Sequence, residues 1–178
     1  RSFLISGAGG SIGSEITRQI LLNNPKIIIL FEMSEFNLFK IERECRVIMS
    51  SENLSTNVIP VLGDIRDTEN LKHIFSSYSI DTVYHAAAYK HVPLVEDEHN
   101  IAKAAENNIL GTFNIAQAAI QNNVNSFVMI STDKAVRPTN VMGATKRFSE
   151  IIIIRSLNPF NSVFRSSKRR FYIFSSFF

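Results

Sequence analysis

Short apolar runs alternate with longer segments of helical spacing along the first 150 residues of the chain. Apolar side chains recur every three or four residues in the longer segments, as at Ile12, Ile16 and Ile20, and the stretch 101–120 is rich in Ala. Five runs have the length of a strand and are rich in Ile, Val and Phe: residues 3–6, 26–31, 58–62, 82–85 and 127–131. This alternation predicts an α/β fold, a doubly wound parallel sheet with helices on both faces, whose ligands bind at the carboxyl ends of the strands.

The composition is that of a globular protein. The 178 residues are 45% apolar and 20% charged, close to the averages of soluble domains. The longest apolar runs, 27–31 and 151–154, are far shorter than the roughly 18 residues that a membrane-spanning helix needs. Cys45 is the one cysteine and no charged-then-apolar leader is present, so we expect a cytoplasmic protein without an internal disulfide, although a chain that opens on Arg1 can lack its natural beginning.

The net positive charge of the chain comes from the last 28 residues. Residues 1–150 carry all 16 acidic side chains and 14 of the 19 basic ones, whereas residues 151–178 carry five basic residues, six Phe and six Ser. This change of composition predicts a boundary near residue 150. A basic arm for a membrane surface or RNA is one interpretation of the tail. We favour the other, a truncated or aberrant end, and expect no nucleic-acid partner.

A glycine-rich turn, GAGGSIG over residues 7–13, stands between the first strand and the first helix. Gly7 permits a tight turn, Gly9 or Gly10 lets the backbone approach a pyrophosphate, and Gly13 lets the helix pack on the sheet. A glycine pattern alone is a weak signal, but this one follows a strand and opens a helix. Residues 1–150 are therefore predicted to be an NAD(P)-binding, Rossmann-type domain.

An acid at the end of the second strand bears on the choice of cofactor. Glu32 lies 19 residues after Gly13, where its carboxylate can accept hydrogen bonds from the adenosine ribose and would repel a 2′-phosphate. NAD is therefore expected, and NADP stays open. The free N–H groups at the start of the helix would face the phosphates. Further residues expected at the cofactor are Ser11, Ile12, Asp64 (for the adenine amino group), Ile65, Ala86 and Ala87.

The segment that leaves the fifth strand concentrates polar chemistry. Thr132, Asp133 and Lys134 bring a hydroxyl, a carboxylate and an amine to the ligand edge of the sheet, and Lys146 on the next helix is expected to reach the same place. His85, at the end of the fourth strand, is expected to be buried and hydrogen-bonded rather than catalytic.

Five segments of residues 3–150 carry a resemblance to a known family: GAGGSIGSE, SEFNLFKIE, HAAAYKHVPLVE, NNILGT and STDKAVRPTNVMGATKRFSE. The resemblance covers about four-fifths of the chain. Residues 3–150 resemble the extended short-chain dehydrogenase/reductases, and among them the nucleotide-sugar 4,6-dehydratases of polysaccharide biosynthesis (the CapD-like branch), which act on UDP-N-acetylglucosamine. The resemblance implies oxidation at C4 of the sugar with hydride transfer to the cofactor, loss of a proton from C5, departure of the C6 hydroxyl as water, and return of the hydride to C6.

The same resemblance implies roles for single residues. Thr132 corresponds to the hydroxyl that bonds the C4 oxygen, Asp133 to the acid that assists departure of the C6 hydroxyl, and Lys134 to the base at C5. Lys146 matches the lysine that binds the nicotinamide ribose, and Asn108 matches a structural asparagine. A free lysine titrates near pH ~10.4, so Lys134 would need desolvation or a neighbouring cation to act as a base at neutral pH.

One position departs from the wider superfamily. The usual Tyr-x-x-x-Lys reads Met142-x-x-x-Lys146 here, and a thioether cannot take the proton of the C4 hydroxyl. The larger membrane-anchored members of the branch resemble this chain in carrying Met there, so Met142 indicates a subfamily and leaves the base of the first oxidation open.

Other candidate residues have weaker signals. Lys90 and His91 lie in a segment that resembles a substrate-proximal loop of the family, and an ordinary loop explains them equally well. His91 and His99 have no third ligand at metal spacing, so no metal is expected. The resemblance also leaves a homo-oligomer open, and places the whole protein in the cytoplasm or at the cytoplasmic face of the inner membrane, with any membrane association through segments absent from this chain.

Two other functions remain open. The first is a sugar-nucleotide 4-epimerase, which shares the oxidation step but needs neither Asp133 nor Lys134. The second is a non-catalytic dinucleotide-binding fragment, which needs none of Thr132, Asp133 and Lys134. Relatives bind UDP and much of the sugar beyond the helix that contains Lys146, and residues 151–178 lack that pattern. We therefore expect the C-terminal substrate region to be missing, and the 178-residue chain to bind the dinucleotide without turnover and to aggregate through its apolar tail.

Overall fold

The fold is a six-stranded parallel sheet, described by a computed structural model over residues 1–156 and 170–176. All paired neighbours run parallel, in the spatial order β3-β2-β1-β4-β5-β6. The strands are β1 (Ser2–Ser6), β2 (Ile27–Glu32), β3 (Asn57–Leu62), β4 (Thr82–His85), β5 (Ser126–Thr132) and β6 (Arg170–Ser176). The predicted doubly wound sheet is confirmed, and each of the five predicted strands agrees with the structure to within one residue at either end.

Helices connect the strands and cover both faces of the sheet. They are α1 (Ser11–Leu21), α2 (Glu35–Ser51), α3 (Thr68–Ser77), α4 (Val92–Val95), α5 (Glu98–Ala105), α6 (Gly111–Gln121) and α7 (Val141–Ser156). A π-helical turn, Glu106–Leu110, joins α5 to α6, and a 3-10 turn, Asp133–Ala135, follows β5. The side chains of Ser34, Asp67 and Asp97 each accept a backbone N–H of the first turn, and so fix where α2, α3 and α5 begin.

Apolar side chains alternate between the two faces of the buried sheet. On β1, Leu4 packs in the cluster that α3 and α6 cover, and Ile5 packs in the cluster that α1 and α2 cover. Cys45 lies in the second cluster, where burial raises the pKa of its thiol to about 11 and leaves it unreactive. Both faces of the sheet are therefore covered by helices. The chain order reverses between β1 and β4, which is where ligands of such sheets bind.

Residues 151–156 and 170–176 belong to elements of this fold. Helix α7 runs through Glu150 to Ser156 without a break, and β6 pairs with β5 from Arg170 to Ser176. The sequence did not predict this sixth strand. The predicted boundary near residue 150, and the interpretation of the tail as a truncated or aberrant end, stay predictions. Within residues 1–156 and 170–176, no helix is both long and apolar enough to cross a membrane.

Candidate active site

The glycine-rich turn lies at the carboxyl end of β1, where two glycines allow close packing of the backbone. Gly7 has φ +69°, in the left-handed region, and a Cβ built on it would come within 2.7 Å of the Ala87 backbone nitrogen. A Cβ on Gly13 would overlap the Gly7 carbonyl oxygen. Helix α1 can therefore begin this close to β1 only with glycine at both positions.

The other two glycines of the turn differ from each other. A Cβ on Gly9 would lie 2.6 Å from the backbone oxygen of Asn37 on α2, so the absence of a side chain at Gly9 lets the turn pack against that helix. A Cβ on Gly10 would meet only the Gly7 carbonyl oxygen, at 3.3 Å. The sequence predicted that either Gly9 or Gly10 lets the backbone approach a pyrophosphate. In the structure it is Gly10 that borders open space.

A cleft of about 210 Å³ opens between this turn and the ends of β2, β3 and β4. Seven of the predicted cofactor residues line it: Gly7, Gly10, Glu32, Asp64, Ile65, Ala86 and Ala87. Ser11 and Ile12 begin α1 next to the turn, while Gly9 and Gly13 take part in packing. The sequence missed other lining residues, among them Phe31, Met33 and Asn107, because nothing in their local spacing marks them.

Glu32 ties the glycine-rich turn to the end of β2. Its Oε2 accepts the Gly9 N–H and its Oε1 accepts the Ser34 N–H, both at 3.0 Å, and its side chain is buried. Each carboxylate oxygen has a further lone pair. Glu32 can therefore hold the turn in place and still accept a hydroxyl from a ligand in the cleft.

Asp64 is held by its neighbour Arg66. The Arg66 N–H donates to Oδ1 at 2.8 Å and the guanidinium donates to both carboxylate oxygens, which lowers the pKa of Asp64. The Arg66 guanidinium also lies 3.7 Å from Glu106. Asp64 thus remains a carboxylate at the rim of the cleft, and its predicted bond to an adenine amino group stays a prediction.

The loop after β4 crosses the start of α1. Lys90 Nζ donates to Ser11 Oγ at 2.6 Å, which brings an ammonium to the N-terminus of α1, and His91 is the exposed residue before α4. The side chain of Asn108 holds the same loop by accepting the Tyr89 N–H at 2.8 Å and donating to the Tyr89 carbonyl at 3.0 Å. The π-helical turn carries Asn108 and buries its side chain.

His85 is buried, and both of its ring nitrogens are hydrogen-bonded, as the sequence analysis expected. Its Nδ1 lies 2.7 Å from Ser6 Oγ and its Nε2 2.9 Å from Thr112 Oγ1. Because the Thr112 hydroxyl gives its proton to the Asn108 carbonyl, it accepts from Nε2–H, and Ser6 donates to Nδ1. Burial, with a smaller effect of Lys146, lowers the pKa of His85 to about 3, so the imidazole is neutral.

The 3-10 turn after β5 brings Thr132, Asp133 and Lys134 together at the carboxyl end of that strand. The Thr132 hydroxyl donates to Asp133 Oδ1 at 2.9 Å, and the Lys134 N–H donates to the same oxygen at 2.9 Å. The Thr132 hydroxyl is the main cause that lowers the pKa of Asp133, so this group is a carboxylate at neutral pH. Asp133 and Lys134 are both exposed.

Helix α7 begins against this turn. Asn140 Oδ1 accepts the Gly143 N–H at 2.7 Å, and a Cβ on Gly143 would overlap the Lys134 carbonyl oxygen. Lys146, one turn into the helix, is buried and donates to the Ile130 carbonyl at 2.9 Å. Burial lowers the pKa of Lys146 to about 8, an effect that the charge of Glu150 opposes.

Met142 lies apart from these polar groups. Its side chain is buried in a small apolar cluster with Val95 and Ala104. The structure therefore brings Thr132, Asp133, Lys134 and Lys146 to the end of β5 and surrounds Met142 with apolar side chains. No cluster of three or more metal-ligating side chains occurs in the described parts of the chain.

Comparison with known proteins connects this site to one family. A family model described as "Polysaccharide biosynthesis protein" matches residues 3–172. Capsular polysaccharide biosynthesis protein CapD of Staphylococcus aureus is 45% identical over 162 residues, which are 91% of this chain and 26% of CapD. UDP-N-acetylglucosamine 4,6-dehydratase (inverting) of Campylobacter jejuni is 35% identical over 159 residues, which are 89% of this chain and 44% of the dehydratase.

A solved structure shares the fold. The X-ray structure of Pen from Bacillus thuringiensis superposes with a TM-score of 0.80 at 32% identity, over 97% of this chain and 48% of Pen. The chain therefore spans between about a quarter and a half of these proteins.

Proposed function

Because the chain belongs to the polysaccharide biosynthesis protein family, whose model matches residues 3–172, we propose that it forms the dinucleotide-binding and catalytic part of a nucleotide-sugar 4,6-dehydratase. The substrate we propose is UDP-N-acetylglucosamine, and we expect the whole protein to act in the cytoplasm or at the cytoplasmic face of the inner membrane. The observation that carries this proposal is the exposed turn of Thr132, Asp133 and Lys134 next to the buried Lys146.

The cleft fits a dinucleotide cofactor. Gly10 leaves the backbone open to a pyrophosphate, the start of α1 offers free N–H groups, and Lys90 adds a positive charge. Glu32 would accept the adenosine ribose hydroxyls, which favours NAD. Bound NAD would supply a hydride acceptor and donor; the residues of this chain would position it and handle the protons.

The turn of residues 132–134, the catalytic turn of this proposal, provides the groups for the loss of water. The Thr132 hydroxyl would bond the C4 oxygen of the sugar, the Lys134 amine would remove the C5 proton, and Asp133 would assist departure of the C6 hydroxyl as water. As a carboxylate at neutral pH, Asp133 would have to gain its proton in the bound complex, where substrate excludes water from the turn. Met142 cannot take the proton of the C4 hydroxyl, so the base of the first oxidation stays open.

The test is the mass of the product. The whole protein incubated with UDP-N-acetylglucosamine should give a nucleotide sugar lighter by one water, and in deuterated water the product should carry solvent deuterium. A 4-epimerase would leave the mass unchanged, and a non-catalytic binding protein would leave the substrate unaltered.

Substitutions in the turn test whether Asp133 and Lys134 act in the loss of water. Asp133→Asn and Lys134→Met should each slow water loss by on the order of 10²- to 10⁴-fold, the usual contribution of a positioned acid or base. Lys103→Met, which removes an exposed lysine of α5, is the matched control. Turnover near that of the unmodified protein in Asp133→Asn would remove Asp133 from the mechanism.

A further inference from the structure

Two buried charged side chains of α7 bind consecutive residues of β5. Lys146 Nζ donates to the Ile130 carbonyl at 2.9 Å, and one helical turn later Glu150 Oε1 accepts the Ser131 hydroxyl at 2.6 Å. Lys146 is 6% exposed and Glu150 5%. Since Ile130 and Ser131 directly precede Thr132, these two contacts fix α7 against the strand end that delivers the catalytic turn.

The Glu150 carboxylate has a second partner. Its Oε2 accepts Arg147 Nη1 at 2.9 Å, and the Arg147 side chain is half-exposed. The carboxylate is thus held between a buried hydroxyl on the strand and a guanidinium at the surface. Burying a carboxylate is costly unless it is hydrogen-bonded and close to a positive charge, and both conditions are met here.

We propose that Glu150 is a positioning residue of the active site: its carboxylate holds α7 against β5 through Ser131 and places a negative charge one helical turn from Lys146. This inference rests on the proposed function, with Lys146 as the lysine that binds the nicotinamide ribose, the role that the resemblance to the family implies. Glu150 itself touches neither cofactor nor substrate; it acts through Ser131 and Lys146.

The charges around Lys146 identify Glu150 as the one that opposes desolvation. Burial lowers the pKa of Lys146, the Glu150 carboxylate raises it, and the imidazole of His85 on β4 is neutral. The remaining charged groups on the described elements packed against α7 are solvent-exposed: Asp133, Lys134, Glu98, His99, Lys103 and Glu106. The protonation of Lys146 should therefore depend on the charge of Glu150. It should also depend on Arg147, because the Arg147 guanidinium binds the Glu150 carboxylate.

Two substitutions should move the protonation of Lys146 in opposite directions. Glu150→Gln removes the negative charge, so the loss of NAD affinity at alkaline pH should begin at a lower pH than in the unmodified chain. Arg147→Gln leaves the carboxylate without its surface partner, so the same fall should occur at higher pH. Glu150→Asp keeps the charge and should recover most of the original pH profile.

The measurement is the dissociation constant of NAD between pH 6 and pH 10, determined by calorimetry on the 178-residue chain. A loss of affinity that is equal at every pH would show a purely structural contact and would overturn the proposal, as would profiles that do not move. If Glu150→Gln does not fold, Arg147→Gln, at a half-exposed site, still decides the outcome.

A second readout separates this proposal from the proposed function. The side-chain carbon and nitrogen signals of Lys146 can be titrated by NMR without cofactor, with Lys146→Met to assign them. If the unmodified chain binds no NAD, the proposed function fails, while the NMR titration still tests Glu150. Unchanged titration of Lys146 in both Glu150→Gln and Arg147→Gln would overturn the inference.

Discussion

The proposed cofactor cleft and the proposed catalytic turn, residues 132–134, lie at the same edge of the sheet but are built differently. At the cleft, Gly7 and Gly13 leave no space for a side chain, and the carboxylate of Glu32 is buried and bonded to two backbone N–H groups. At the turn, Asp133 and Lys134 are exposed, and the hydrogen bond between them joins the Lys134 backbone N–H to the Asp133 carboxylate. Changes at the cleft should therefore cost folding stability as well as binding, whereas changes at the turn should cost chemistry alone.

The largest effect is expected from His85, which lies behind the cleft. Its pKa is about 3 in the folded chain and 6.5 in the reference state, so the unfolded chain binds a proton that the folded chain does not. The free energy of unfolding should therefore fall as pH drops below 6.5, with a slope approaching about 1.4 kcal/mol per pH unit.

Denaturant unfolding between pH 4.5 and pH 7 measures how the free energy of unfolding changes with pH. This range lies above the pH at which most carboxylates titrate, so their contribution is small. His85→Gln removes the titrating group and should flatten the slope. His91→Gln, at the exposed imidazole before α4, is the matched control and should retain it. An equal slope in His85→Gln would show that other groups cause the acid sensitivity.

The glycine-rich turn should show the next largest effect. Gly13→Ala forces a Cβ onto the Gly7 carbonyl and should destabilise the chain by about 1–3 kcal/mol, the usual cost of overpacking. Gly10→Ala has only one neighbour, at 3.3 Å, and should cost much less. Thermal unfolding of the two variants measures the difference. Equal destabilisation would contradict the separate roles of these glycines.

Glu32→Gln tests the tie between the turn and β2. An amide offers one acceptor where the carboxylate offers two, so one of the N–H groups of Gly9 and Ser34 loses its partner, which should cost about 1–2 kcal/mol. Glu96→Gln, at an exposed position, is the control for loss of a charge. Unfolding midpoints that coincide for the two variants would show that Glu32 does not hold the turn.

The smallest effect on stability is expected at the catalytic turn. Asp133→Asn and Lys134→Met change exposed side chains and should each alter the free energy of unfolding by less than about 0.5 kcal/mol. Denaturant curves of the 178-residue chain give this value. A loss of several kcal/mol in either variant would show that the turn, like the cleft, is part of the packed structure.

The sequence predicted the parts of the molecule that depend on local pattern. Apolar runs of strand length located β1 to β5, and the spacing of glycines with Glu32 located the cleft, because a tight turn and a buried strand leave a local signature. The resemblance to a known family supplied the proposed roles of Asp133 and Lys134.

The remaining features depend on contacts between distant segments. The bond between Ser131 and Glu150 joins residues on different elements, and nothing in either neighbourhood marks it. Asn107, which lines the cleft, lies in a π-helical turn that the helical spacing over 101–120 did not predict. Strand β6 was missed because the composition of residues 151–178 differs from that of the preceding strands.

Binding of NAD by the 178-residue chain tests the central claim most directly. Calorimetric titration with NAD and with NADP at neutral pH should show one NAD bound per chain and a weaker interaction with NADP, because Glu32 would repel the 2′-phosphate. Failure to bind either dinucleotide would contradict the assignment of the cleft, and a clear preference for NADP would contradict the role of Glu32.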